Sequence, residues 1–223
     1  MMKALKIISV LSFFVLFIGC DSLFAHAINY SMEVKPVDHV VFFYILLGFQ
    51  HIIPEGLDHI LFVLSLFFLD SRLKPVILQA SCFTIAHTFT LIMTSQGFIN
   101  PPSQLVETVI SASIVFVALE NIFIGKLKSW RYLIIFAFGL IHGMGFATAL
   151  NETGLPRNTF FTALISFNVG VEIGQIAVIL IAYFLVGKWF SEKVWYRKRV
   201  ILPLSMLIAI IAAYWTFERL LHT

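Results

Sequence analysis

Six side chains in this sequence could do chemistry together: His51, Asp58, His59, His87, His142 and Glu172. Imidazole and carboxylate groups in one place suit a divalent transition metal such as zinc, nickel, cobalt or iron. His51 with Asp58-His59 is the strongest constellation. Four further polar residues could support such a site: Glu107, Glu120, Asn168 and Gln175. Each candidate also has a plainer reading. Asp58, at a helix start, could simply cap that helix. Any of the histidines could satisfy a neighbour's hydrogen bond. Glu107 could complement a helix dipole from the first turn, Glu120 could be structural, and Glu172 could bond a neighbouring helix.

The surroundings of these residues give them weight. The chain has 223 residues, of which 60% are hydrophobic and 12% charged; soluble domains run about 45–50% apolar and about 25% charged. A water-soluble surface cannot be built from this composition, so a lipid bilayer must be the solvent for most of the chain. An ionisable group near the bilayer centre costs about 2.5–3.5 kcal/mol or more, and those that persist face the bundle interior or an aqueous path. The net charge of +3 gives no reason to expect nucleic acid. With two cysteines, Cys20 and Cys82, there is neither a disulfide framework nor a CxxC metal motif. No GxxxxGK[ST] loop for nucleotide and no GxSxG for serine chemistry occurs.

The elements that must position the polar residues are helices. A span takes about 20 residues, and apolar runs predict six, over about 57–71, 75–94, 104–124, 131–150, 159–186 and 200–221. The basic residues fall in alternate connections. Arg72 and Lys74 form one set, Lys126, Lys128 and Arg131 the next, and Lys188, Lys193, Arg197, Lys198 and Arg199 the third. The positive-inside rule makes these cytoplasmic, so both ends of the six-span bundle lie outside. An extra apolar stretch, Val37–Ile53, would break that parity as a span; it reads as a short periplasmic re-entrant or interfacial helix. Lys3, Lys6, the apolar run Ile7–Gly19 and Ala25-His26-Ala27 have the form of a signal peptide, residues 1–27, cleaved after Ala27. An uncleaved anchor and a lipoprotein site at Cys20 are the alternatives. The remainder, 28–223, is a single transmembrane domain. The expected class is an all-α, polytopic bundle in a bacterial-type inner membrane, with its N-terminus periplasmic; a homo-oligomer is compatible with it.

This topology orders the polar groups by depth. His59 and Glu107 stand near the periplasmic end, His87, His142 and Asn168 roughly 12–14 Å down at about 1.5 Å per residue, Glu172 a turn deeper, and Glu120 toward the cytoplasm. Asn168, Glu172 and Gln175 share one helix face at i, i+4 and i+7. Gly170 and Gly174, like Gly139 and Gly143 beside His142, are spaced to let helices approach and to leave room for a ligand.

The residues resemble the HupE/UreJ family of membrane proteins. The matching blocks are Gly48-Phe49-Gln50-His51-Ile52-Ile53-Pro54-Glu55-Gly56-Leu57-Asp58-His59-Ile60-Leu61-Phe62, Ala86-His87-Thr88-Phe89-Thr90-Leu91, Val106-Glu107 and Ala118-Leu119-Glu120-Asn121. Phe138-Gly139-Leu140-Ile141-His142-Gly143-Met144-Gly145-Phe146-Ala147 and Phe167-Asn168-Val169-Gly170-Val171-Glu172-Ile173-Gly174-Gln175 complete the set. It looks most like the second branch of that family. The resemblance implies a cleaved signal, about six spans and permeation of nickel or cobalt. The permease signature is His, five residues, then Asp-His; here six residues separate His51 from Asp58.

Two functions compete. In a permease, periplasmic His51, Asp58 and His59 would capture the ion, and His87, His142, Asn168 and Glu172 would hand it inward. In an intramembrane metal-dependent hydrolase, three histidines and a carboxylate would hold zinc with one position open for water. Staging of polar groups as far as Glu172 and Glu120 favours transport, with nickel or cobalt as the substrate.

Overall fold

The computed structural model describes residues 35–124, 127–153 and 155–221. The expected signal peptide, 1–27, lies outside the described residues. Within them there are seven helices and no strand: α1 (Val37–Ile52), α2 (Leu57–Leu69), α3 (Leu73–Ser95), α4 (Ser103–Phe123), α5 (Arg131–Thr153), α6 (Phe160–Phe190) and α7 (Arg197–Leu221). Helices α3, α4, α6 and α7 are each long and apolar enough to cross a membrane. Helix α5 carries a shorter apolar stretch, Arg131–Ala147. The chain is a multi-pass membrane protein.

The first expected span is not an independent crossing. Helices α1 and α2 have 16 and 13 residues, about 24 and 20 Å at 1.5 Å per residue, against a hydrocarbon core of about 30 Å. They meet the length and apolarity of a span only as a pair, bent by 71° at the break between them. Pro54 causes the break. A proline lacks the N–H that continues a helix and pushes the preceding residue out of the helical region; Ile53 accordingly has an extended backbone, φ −126° and ψ 114°.

Three helix pairs make most of the contacts: α1 with α6, α3 with α5, and α4 with α7. Helix α2 lies among them, touching α3, α4, α6 and α7. Its residues from Leu61 to Leu69 are all buried, as expected of a helix that is hydrophobic all round. Glycines set the closest approaches. A Cβ on Gly48 would overlap the Phe167 carbonyl oxygen, and one on Gly170 the Ile45 carbonyl oxygen, so α1 and α6 touch through backbone. Gly143 does the same against the His87 carbonyl, joining α5 to α3. Neighbouring backbone therefore fills the space at Gly143 and Gly170, where the sequence suggested room for a ligand. The α4–α7 pair is tied at both ends. Arg219 Nη1 donates to the Glu107 carbonyl at 2.8 Å, and Arg197 Nη2 to the Ile122 carbonyl at 3.0 Å.

Candidate metal centre

The break between α1 and α2 puts two histidines at two helix ends. His51 sits in the last turn of α1 and His59 in the first turn of α2. Their ring centroids are 4.7 Å apart. Helix α3 brings His87, whose ring lies 6.3 Å from His51 and 6.1 Å from His59. One ring nitrogen from each of His51, His59 and His87 falls within a group spanning 4.8 Å. All three residues are buried.

Hydrogen bonds fix which nitrogen of two of these rings is bare. Asn168 Nδ2 donates to the Leu164 carbonyl at 2.8 Å, which turns Asn168 Oδ1 toward His87. His87 Nδ1, 3.0 Å from that oxygen, must therefore carry the proton, and its Nε2 keeps a lone pair. Asp58 Oδ1 accepts from the His59 backbone N–H at 2.8 Å and lies 3.1 Å from His59 Nδ1. That carboxylate–imidazole contact orients His59 and leaves its Nε2 as the electron donor, as second partners of metal-bound histidines do. The Nε2 atoms of His51, His59 and His87 are buried and have no hydrogen-bond partner. Buried polar atoms of folded proteins are mostly paired, and here three unpaired ones belong to adjoining rings. Three unpaired imidazole nitrogens on rings packed this closely are a donor set that a divalent transition metal fits.

His142 stands beside this group. Its ring is 5.2 Å from that of His59. Ser113 Oγ donates its one proton to the Ile110 carbonyl at 2.6 Å, so at 3.1 Å it accepts from His142 Nε2. His142 Nδ1 is then a bare, buried acceptor. Phenylalanines wall the histidines: Phe146 is 3.9 Å from His51, Phe83 is 4.9 Å from His142 and 5.9 Å from His59, and Phe62 is 5.4 Å from His142. These rings give the histidines an apolar surround. Asp58, the most accessible member, keeps about a quarter of its side-chain surface exposed.

The remaining candidates go elsewhere. Glu172 Oε1 and Oε2 accept from Ser81 Oγ and Thr84 Oγ1, both at 2.6 Å, and Gln175 Oε1 lies 3.2 Å from Thr84 Oγ1. Glu120 pairs with Arg131 at 2.8 Å, with both side chains buried. Glu107 is exposed. Sequence reasoning missed Ser81, Thr84, Ser113 and Arg131 as partners. Ser81, Thr84 and His87 recur at three-residue intervals along one face of α3, a signal available in the sequence. Ser113 and Arg131 carried no such pattern.

The fold and this group of residues define a helical, multi-pass membrane protein with a buried histidine centre able to hold a metal ion. The chain matches the HupE/UreJ family over residues 28–219, and it belongs to that family. No curated protein and no solved structure matches it.

Proposed function

We propose that this protein is an inner-membrane permease for a divalent transition metal, nickel or cobalt, and that His51, His59 and His87 hold the ion in transit. The observation that carries the reading is the trio of buried, unpartnered Nε2 atoms. Membership of the HupE/UreJ family, which is associated with nickel and cobalt transport, supports it.

The break between α1 and α2 supports it as well. Transporters commonly place ion sites where a spanning helix is interrupted, because half-helix ends present unsatisfied backbone groups at membrane depth. The C-terminal end of α1 carries negative dipole character, which favours a cation. On this reading α1 and α2 are two halves of one crossing, and with α3 to α7 they make six. The basic connections are cytoplasmic, and the N-terminus of the transmembrane domain, 28–223, faces the periplasm. Asp58, partly exposed, is the entry group. His142 is the next acceptor beyond His59.

The compactness of the trio favours one other reading. Three nitrogens with a position left open also suit zinc in a membrane hydrolase.

Metal accumulation in cells lacking other nickel and cobalt importers tests the proposal. Expression of the wild-type chain should raise cell-associated nickel or cobalt, and His59→Ala and His87→Ala should not. Purified wild-type protein should retain metal that both variants lose. Retained metal without any change in accumulation would sink the permease and leave the hydrolase.

A further inference from the structure

We infer that Ser81, Thr84, Glu172 and Gln175 form a second ion site, built from oxygen alone, which takes an alkali-metal cation such as sodium.

The group lies between α3 and α6, along the helix faces that also carry His87 and Asn168. Thr84 precedes His87 by three residues, and Glu172 follows Asn168 by four, so the two sites are neighbours by about one helical turn. Their chemistry differs. The histidine centre offers nitrogen to a transition metal, whereas this group offers a carboxylate, two hydroxyls and an amide oxygen, the donors of hard cations.

Oxygens outnumber protons in this group. Five side-chain oxygens meet here: Glu172 Oε1 and Oε2, Ser81 Oγ, Thr84 Oγ1 and Gln175 Oε1. Two hydroxyl protons serve them. The Thr84 hydroxyl alone faces three acceptors, Glu172 Oε2 at 2.6 Å, the Ala80 carbonyl at 3.1 Å and Gln175 Oε1 at 3.2 Å. Gln175 is fully buried, directs its Oε1 into the group, and has no partner for its Nε2. With the Thr84 proton given to Glu172 at 2.6 Å, Gln175 Oε1 and Thr84 Oγ1 face each other at 3.2 Å with no proton between them.

Charge counting selects a monovalent ion. Asp58 has His59 beside it and Glu120 has Arg131. Among the described residues, no Lys, Arg or His lies within ion-pair distance of Glu172. One carboxylate with one monovalent cation gives a neutral site at membrane depth. A divalent ion would leave a net positive charge, which the apolar surroundings penalise.

The test is equilibrium binding of radioactive sodium to the purified full-length protein in detergent. Choline chloride holds ionic strength constant, and a chelator keeps transition metals away. Wild-type protein should bind sodium saturably at a single ion per chain, with potassium competing and choline not. Glu172→Gln should lose the binding, and Thr84→Val should weaken it about tenfold or more. Thr84→Val should bind nickel as the wild type does, which shows that the variant is folded and keeps failure here distinct from failure of the histidine site. Absence of saturable binding in the wild type overturns the proposal. So does sodium binding unchanged in Glu172→Gln, or a Glu172→Gln protein as heat-stable as wild type whose stability ignores sodium in both; that last result would assign a neutral, protonated carboxyl.

Discussion

Two buried polar regions of this molecule treat their charge in opposite ways. Where α4 and α5 meet, Glu120 and Arg131 lie 2.8 Å apart with almost no exposure. Each answers the other, so the pair is electrically closed. Around the break between α1 and α2, four histidines each keep one buried nitrogen with no partner. Their other contacts, Asp58, Asn168 and Ser113, set the direction in which three of the free nitrogens are offered. The ion pair holds helices together through opposite charge, although the side-chain nitrogens and oxygens of Glu120 and Arg131 also lack hydrogen-bond partners. The histidines differ in that their bonded nitrogens aim the free ones. An oriented but incomplete set of donors waits for a ligand. The difference separates structure from function more sharply than the presence of polar residues does, since both regions are equally buried.

The comparison can be broken at the closed pair first. Arg131→Met leaves Glu120 buried without a countercharge and should cost about 3–5 kcal/mol of stability. Glu120→Leu with Arg131→Met should recover most of that loss. Thermal unfolding of the purified proteins reads both; an Arg131→Met protein as stable as the wild type would show that the pair is not closed after all. At the helix contact behind the histidines, Gly143→Val forces a side chain onto the His87 carbonyl. Overpacking of this kind costs about 1–3 kcal/mol. Because it displaces His87, it should lower retained metal as well, and a stability loss with normal metal content would detach the contact from the site.

The open region should respond in affinity rather than stability. Asp58→Asn and Asn168→Ala remove groups that aim the ligands, and such changes typically cost about 10–100-fold in metal affinity. Competitive metal titration measures it, and an unchanged titration would return Asp58 to simple helix capping. The smallest effect belongs to Glu107. Its side chain is exposed and away from the histidines, so Glu107→Gln should leave both melting temperature and metal content where they were. Loss of metal in that variant would extend the site to the surface of α4.

Much of the fold was legible in the sequence because lipid imposes a simple code. Long apolar runs must be helices, since every backbone group has to be paired within its own segment. The spans expected over 75–94, 104–124, 159–186 and 200–221 match α3, α4, α6 and α7 closely. The α1–α2 pair was harder to read. Val37–Ile53 reads from parity as a re-entrant or interfacial helix, and that reading does not foresee that α1 packs along α6 through Gly48 and Gly170. The run expected as the first span, about 57–71, is the enclosed centre of the bundle over Leu57–Leu69. Hydropathy cannot tell protein from lipid as the solvent of an apolar helix.

By itself the sequence determined that imidazoles and carboxylates would be held at membrane depth, because their types and positions along apolar runs are fixed covalently. Which of them meet was decided only by tertiary structure. Helix rotation and the bend at Pro54 turned His51, His59 and His87 toward one another, sent Glu120 to Arg131, and gave Glu172 to Ser81 and Thr84. A side chain's partner across helices depends on packing angles that no local spacing encodes.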